Sequence, residues 1–422
     1  MEEIQLTEEQ EIIHNHLIDW FQVGFRGRPS GLRWQGVPIS QADPVKLKTV
    51  GGYAGTGKTF LVTTLRKSLN EIDKNLSIAF CSFTGKAASV LRAKLEDIGY
   101  LLNQDYVGTI HGLIYRPKMG IDTRTGKQII IGWARKEYLT YDLIIVDEAS
   151  MVSIPIWRDL REYGCPIIAV GDHGQLPPIG EEPSVISKPD FILKNIHRQA
   201  LDSPIIRLSA TIRKTGKIPI GVFDENVFKL KWSEPKCQDL FKSIDHDENV
   251  IVLCATNRLR VSLNKEIGDR QKFIQSEPYP GERIICLKNN HDTKVMNGQL
   301  GTLLWLVPHS KHIYNVTIQM DSMSDLYHTL IHDCCFGEEK YDGAYEAVTY
   351  KRTSHILKQT KFSKVDLFDF GYAISVHRSQ GSEWNKVVLF EENVSWWDFD
   401  FYRRWLYTAI TRAKEKLFVI DC

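Results

Sequence analysis

Hydrophobic positions along this chain fall into short dense runs divided by polar stretches, and their period changes along its length. Across residues 6–19 apolar residues recur at helical spacing behind Thr7, a residue type suited to an N-cap, which predicts a helix. Apolar runs follow at 45–50 (broken by lysines), 77–83, 143–146 and 166–170. Runs that are apolar throughout, rather than alternating, mark strands buried on both faces of a parallel sheet. A helix is predicted at 60–69, so strands and helices alternate as in an α/β domain. Similar runs return at 250–255, 386–390 and 417–420, which predicts a second α/β domain beginning after residue 200. Between roughly 276 and 361 the pattern turns to short alternating runs at 302–307, 314–320 and 326–332. That text predicts a small antiparallel barrel. Residues 23–44, rich in Gly, Pro and Arg, read as a long loop with no assignable role.

Composition narrows the class without naming it. Apolar content of 43% and charged content of 25% are ordinary for a globular protein, and 422 residues give room for two or three cores. No run approaches the ~18 apolar residues of a membrane-spanning helix. The opening Met1-Glu2-Glu3 lacks a signal-peptide core, so a cytoplasmic location is expected, with no membrane partner. Eight cysteines without CxxC spacing argue for free thiols and against zinc or an iron–sulfur cluster. A net charge of +1 excludes a bulk nucleic-acid coat, though not a local basic groove in a protein that must release its strand every cycle.

The chemistry begins at Gly52-Tyr53-Ala54-Gly55-Thr56-Gly57-Lys58-Thr59, which fits the phosphate-binding P-loop pattern. Glycines let backbone N–H groups close around an anionic phosphate, and the helix that follows points its positive end at it. Lys58 is placed to reach the β- and γ-phosphates, and Thr59 to hold Mg²⁺. The apolar run Leu143-Ile144-Ile145-Val146 ends at Asp147-Glu148. Such a pair suits ATP hydrolysis, with Asp147 on Mg²⁺ through water and Glu148 deprotonating the attacking water. A small-molecule kinase has no need of the second carboxylate. A third strand runs into Gly171-Asp172-His173-Gly174-Gln175-Leu176-Pro177-Pro178, where Gln175 is the candidate γ-phosphate sensor and the prolines stiffen the exit.

From here the series resembles the superfamily 1 helicases, in particular the 1B branch that includes RecD, and in size and layout most nearly the Dda type of phage helicase. Leu6-Thr7-Glu8-Glu9-Gln10 resembles the adenine-reading Q motif, and Phe83-Thr84-Gly85-Lys86-Ala87-Ala88 and Thr109-Ile110-His111 resemble motifs Ia and Ib. Phe83 departs from the alanine or proline common there. Ile196-His197-Arg198-Gln199 resembles motif IV, and Thr256-Asn257-Arg258 with Leu263-Asn264 a later signature of the second domain. Asn297-Gly298-Gln299-Leu300-Gly301 resembles the entry to the barrel insertion, the segment from Tyr372 to Glu383 motif V, and Tyr407-Thr408-Ala409-Ile410-Thr411-Arg412-Ala413 motif VI. Any one of these is weak; their order along the chain carries the resemblance.

The resemblance implies two RecA-like P-loop domains in tandem, the first spanning 1–200 and the second 201–275 with 362–422. It also implies a β-hairpin insertion, the 1B pin, near 112–140, and an SH3-like 2B barrel at 276–361. One ATP with Mg²⁺ would be clamped between the domains. Lys58, Glu148, Gln175, Arg198 and Arg412 would be catalytic, the two arginines supplying planar charge to the γ-phosphate. Gln10, Gly52, Ala54, Gly55, Thr56, Gly57, Lys58, Thr59 and Glu383 would bind nucleotide, and Thr59 and Asp147 the metal. Thr84, Lys86, Thr109, His111, Pro177, Pro178, His377 and Ser379 would contact DNA, although His111 and His377 also read as core histidines.

The implied activity is 5′ to 3′ translocation on single-stranded DNA and unwinding at a fork. A phage-encoded monomer working with replication or recombination proteins would fit. A translocase that separates no strands shares every motif, so only an added wedge distinguishes the two. Residues 115–122 and 127–133 can form that wedge around a turn at 123–126. Its flanking aromatics, Tyr115 and Trp133, either stack at the fork or anchor the hairpin.

Overall fold

The first apolar runs become a six-stranded, all-parallel sheet because each is buried on both faces and helices cover both sides. The structure, a computed structural model, describes residues 6–25, 46–121, 128–178, 185–196, 202–243, 249–273, 277–290, 293, 295–341 and 364–422. The chain divides into two units, Met1–Arg207 and Leu208–Cys422.

In the first unit the strands are β1 (Leu47–Gly52), β2 (Ile78–Ser82), β3 (Tyr106–Thr109), β6 (Leu143–Asp147), β7 (Ile167–Gly171) and β8 (Phe191–Leu193). Their order is β3-β2-β6-β7-β1-β8. Alternate side chains feed two cores. Val50, Phe80 and Ile145 pack with Leu17 of α1 (Glu8–Phe25) and with Leu61 and Leu65 of α2 (Lys58–Ile72). Ala79, Ile144 and Val146 pack on the other face with Ile110 of α4 (Ile110–Ile114) and Trp157 of α5 (Ile154–Arg161). Helix α3 (Gly85–Asp97) follows β2. The expected helix at 6–19 runs on to Phe25, into the segment read as loop; residues 26–45 lie outside the described residues.

Between β3 and β6 the chain makes a separate two-stranded antiparallel ribbon, β4 (Tyr115–Ile121) with β5 (Gln128–Arg135). A bulge between Lys118 and Met119 absorbs the break in alternation that the Ile129-Ile130-Ile131 run imposes. The turn expected at 123–126 is outside the described residues.

The second unit has its own six-stranded sheet, ordered β17-β11-β18-β19-β10-β9. These strands are β9 (Gly221–Val222), β10 (Val227–Lys231), β11 (Val250–Cys254), β17 (Ala373–Ser375), β18 (Trp384–Glu391) and β19 (Ala413–Asp421). Only the edge strand β9 pairs antiparallel. Helices α6 (Pro235–Ser243), α7 (Asn257–Arg270), α8 (Val376–Ser379) and α9 (Phe399–Ile410) belong to it.

Inserted between α7 and β17 is a closed barrel of β12 (Arg283–Cys286), β13 (Leu300–Ser310), β14 (Ile313–Met320), β15 (Tyr327–His332) and β16 (Val365–Phe370). Two expectations change here. The barrel is not wholly antiparallel, since β15 and β16 run parallel, and its closing strand lies past the expected end at 361. Two aspartates hide β16 in the sequence, yet both are buried and bonded: Asp366 accepts from Thr329 Oγ1 (2.7 Å) and Asn290 Nδ2 (3.0 Å). Hydrogen-bond partners remote in sequence offset the cost of burying them.

Candidate functional site

Parallel strands place their carboxyl ends at one edge, and in the first unit that edge gathers β1, β6 and β7. β1 runs straight into the P-loop. Gly55 and Gly57 sit at φ of 79° and 77°, the left-handed region that glycine enters without strain. A Cβ on Gly52 would lie 2.6 Å from Thr56 Oγ1, so any side chain there would break the loop's closure. Thr56 Oγ1 donates to the Tyr53 carbonyl at 2.8 Å, and Lys58 Nζ folds back onto the same carbonyl at 3.0 Å. Lys58 and Thr59 open α2, so this loop is a concavity of backbone at a helix N-terminus carrying an ammonium and a hydroxyl.

The Q-motif glutamine is tied directly to that loop. Gln10 Oε1 accepts from Thr7 N–H (3.1 Å) and Thr7 Oγ1 from Gln10 N–H (3.3 Å), a reciprocal capping box at the start of α1. Gln10 Nε2 then donates to the Thr56 carbonyl at 3.1 Å. The buried Gln10 amide therefore braces the P-loop backbone.

Asp147 ends β6 beside Ser82 of β2, and its Oδ1 accepts the Glu148 N–H at 2.9 Å. Burial pushes the Asp147 carboxyl above its ordinary range, while the Glu148 N–H and the ammonium groups of Lys58 and Lys94 oppose that rise. The buried Asp147 carboxylate and the Thr59 hydroxyl in the first turn of α2 are oxygen donors of the kind that fit a hard divalent cation such as Mg²⁺. Glu148 is one of three non-glycine residues at positive φ among those described (φ 53°). That strained turn swings the chain out of the sheet directly after Asp147.

The third strand end closes the group. Asp172 is fully buried, its Oδ1 accepting from Gly174 N–H (2.9 Å) and its carbonyl from Gln175 N–H (3.2 Å). The His173 ring packs 4.3 Å from that of Tyr53, so the Gln175 loop rests on the P-loop. Nothing in the motif spacing announced the Tyr53–His173 contact. Pro177 and Pro178 are half-buried just beyond.

Other expected positions are more varied. Thr84 and Thr109 are both N-caps, accepting from Ala87 N–H (3.2 Å) and Gly112 N–H (3.1 Å), and Lys86 lies half-buried in the first turn of α3. His111 is exposed between Phe83 and Tyr115, its ring 6.3 and 5.6 Å from theirs, so it is not a core histidine. His377 is half-buried on α8 and stacks with Phe401 at 6.0 Å; burial holds its imidazole below the ordinary pKa. Ser379 is fully buried, its Oγ donating to the Val376 carbonyl at 2.7 Å, so its side chain closes the turn of α8.

Arg412 is buried, and its three nitrogens bond inside its own unit. Nε reaches the Thr408 carbonyl (3.0 Å), Nη1 the Ser382 carbonyl (3.2 Å) and Nη2 Thr411 Oγ1 (3.1 Å). It is a fixed fork rather than a surface ion pair. Glu383 is exposed, 3.9 Å from Lys414. Arg198 lies outside the described residues.

At the ribbon's base Tyr115 OH donates to Asp159 of α5, and Arg135 pairs with Asp159 and Glu162. The Tyr163 hydroxyl, with its single proton, lies within hydrogen-bond distance of the carbonyls of both Ile114 (2.9 Å) and Lys136 (2.8 Å). Of the two readings of Tyr115, the structure gives the anchor. Trp133 remains half exposed on β5, opposite Pro117.

Comparison with known proteins agrees with this division of labour. The AAA domain family matches residues 36–181, and the UvrD-like helicase C-terminal domain matches 370–420, one in each unit and in that order. The chain belongs to the superfamily 1 helicases. Among relatives of this superfamily 1 chain is the ATP-dependent RecD2 DNA helicase of Deinococcus radiodurans, 25% identical over 88% of this chain and 46% of that protein. The RecBCD enzyme subunit RecD of Buchnera aphidicola is 22% identical over 87% of this chain and 69% of that subunit. The chain thus spans about half the length of the Deinococcus relative. Among solved structures, Bacteroides Pif1 helicase in complex with ADP-AlF3 and ssDNA shares the fold with a TM-score of 0.52 and 19% identity, covering 100% of this chain and 93% of that one.

Proposed function

We propose that this chain is an ATP-dependent DNA helicase that moves 5′ to 3′ along single-stranded DNA and unwinds duplex ahead of it. The observation that carries the proposal is the convergence of Lys58, Thr59, Asp147, Glu148 and the Gln175 loop at one sheet edge, with a β-ribbon anchored on α5 a few residues downstream of Glu148.

In this reading the P-loop amides and Lys58 hold the phosphates, while Thr59 and Asp147 hold Mg²⁺, which would neutralise charge on the phosphate oxygens. Glu148 takes the proton from the attacking water, and Gln175 reports the γ-phosphate to the Pro177-Pro178 exit. Gln10 keeps the loop in its phosphate-binding shape. Arg412 is carried as the arginine whose loss should slow turnover of bound ATP, and Arg198 with it. Glu383 is carried as the ribose contact. Thr84, Lys86, Thr109, His111, Pro177, Pro178 and His377 are carried as strand contacts, mostly phosphate-directed. DNA as substrate is supported by the names of the RecD2 and Pif1 relatives. A replication or recombination role, a phage origin and a cytoplasmic setting belong to the same proposal.

The ribbon is the proposed wedge, held stiff at its base by Tyr115, Arg135, Asp159 and Glu162. Strand-displacement assays with a 5′ or a 3′ tail, run beside an ssDNA-dependent ATPase assay, test the whole. Equal unwinding from a 3′ tail would contradict the polarity. Replacing residues 121–130 with a short Gly-Ser turn should leave DNA-stimulated ATPase within about twofold while unwinding collapses. Unwinding at the wild-type rate would move the wedge elsewhere and favour the barrel.

A further inference from the structure

Where the barrel returns to the second sheet, charged and aromatic groups from three separate segments meet. Asp369 of β16 is fully buried and accepts from Gly337 N–H (2.9 Å), Phe370 N–H (2.8 Å), Tyr341 OH (2.6 Å) and Arg260 Nη1 of α7. Arg260 also donates to the Glu338 carbonyl, so the chain leaving β15 is fastened at both ends of a five-residue stretch. Its Cζ stands 5.6 Å from the centre of the Tyr341 ring, and the Cζ of Arg378 stands 4.9 Å from the same centre. Two guanidinium groups thus converge on one ring, and Asp369 neutralises the first of them. Arg378 directly follows His377 on the single-turn helix α8.

We propose that Tyr341 is a positioning residue: through Arg378 it sets where α8 presents His377, so that the barrel tunes the affinity of the motif V segment for single-stranded DNA. The inference rests on the DNA-binding role proposed above for that segment. Helix α8 is a single turn, and an arginine over a ring that is hydrogen-bonded into the barrel is a stiff, oriented tether. Displacement of the 337–341 stretch would reach α8 through this ring.

The test measures ATP turnover by the full chain against ssDNA concentration for wild type, Y341A, Y341F, R378A and the Y341A/R378A double variant. Y341A and R378A should each raise the half-stimulating ssDNA concentration about tenfold, with DNA-free turnover and the saturated rate unchanged. The double variant should be no worse than either single, because both remove one interaction. Y341F, which keeps the ring and loses the bond to Asp369, should shift less. A half-stimulating concentration unchanged in both Y341A and R378A would overturn the inference alone. So would loss of DNA-free turnover in proportion to a lowered melting temperature, the mark of a merely structural residue. Wild-type turnover indifferent to ssDNA would instead overturn the helicase reading, and this inference with it.

Discussion

Two strands, one in each unit, end in almost the same words. β6 reads Leu143-Ile144-Ile145-Val146 into Asp147-Glu148, and β18 reads Val387-Val388-Leu389-Phe390 into Glu391-Glu392. Both are buried parallel strands with an acidic pair at the carboxyl end. Their surroundings differ completely. Glu391 lies 2.8 Å from Lys229 Nζ and accepts from Tyr402 OH at 2.7 Å. Glu392 accepts from Ala255 N–H (2.6 Å), Thr256 N–H (3.0 Å) and Thr256 Oγ1 (2.7 Å), thereby fixing the N-cap of α7. The second pair is consumed by its own fold. The first sits beside a glycine loop and a lysine at the N-terminus of α2, on a strained backbone turn. An acidic pair after an apolar run is therefore not itself a hydrolytic signal. What the adjacent strand ends supply decides whether the carboxylates serve chemistry or architecture.

The comparison breaks most sharply at Lys58. Lys58→Ala should cut ATP turnover by about 10²–10³-fold, the scale for one lost stabilising donor, with an unchanged melting temperature because no core packing is removed. Turnover within a few-fold of wild type would mean the first strand end is as structural as the second. Next comes Glu148→Gln, for which hydrolysis should fall by about 10²-fold while nucleotide affinity, read by fluorescence titration, holds. Equal loss of binding would make Glu148 a scaffold residue. Its counterpart Glu392→Gln should do the reverse. Turnover stays near wild type, and stability drops by about 1–2 kcal/mol as charge-assisted bonds to Ala255 and Thr256 weaken. A denaturant midpoint equal to wild type would sink that expectation.

Seven sheet strands, the ribbon and three barrel strands were legible because they rest on periodicity: solid runs for buried parallel strands, alternation for exposed or barrel strands. The short β3, β8, β9, β10, β12 and β17 were not among the expected runs. The P-loop was legible because glycine positions and a lysine are dictated by backbone shape. Legibility failed wherever a polar residue changes meaning through a distant partner. β16 reads as acidic until Tyr327, Thr329, Asn290 and Arg260 are brought to its aspartates. Nothing near Ser379 in the sequence shows that its hydroxyl closes its own turn. Tyr115 gave two readings until Asp159, 44 residues away, supplied the acceptor. Local pattern cannot see such pairings, since they depend on which elements the fold makes neighbours.

The weakest test extends the comparison to a third carboxylate, one with no ion pair among the described residues. Glu282, just before β12, is 1% exposed, and its Oε2 accepts the Tyr279 N–H at 2.6 Å. Burial pushes its pKa up to about 8, with the Tyr279 N–H opposing. The folded chain then keeps this proton up to about pH 8, whereas the unfolded chain releases it in the ordinary carboxylate range. Folding is linked to proton uptake between those limits, so this group's contribution to stability is whole below the ordinary range and is lost as pH rises toward 8. Glu282→Gln removes the titration and keeps the shape and the acceptor oxygen. The melting temperature of the wild type should therefore decline more steeply than that of E282Q between about pH 5 and 8. Parallel curves would show that the carboxylate is charged and satisfied where it sits, closer in kind to Glu392 than to a group held neutral by burial.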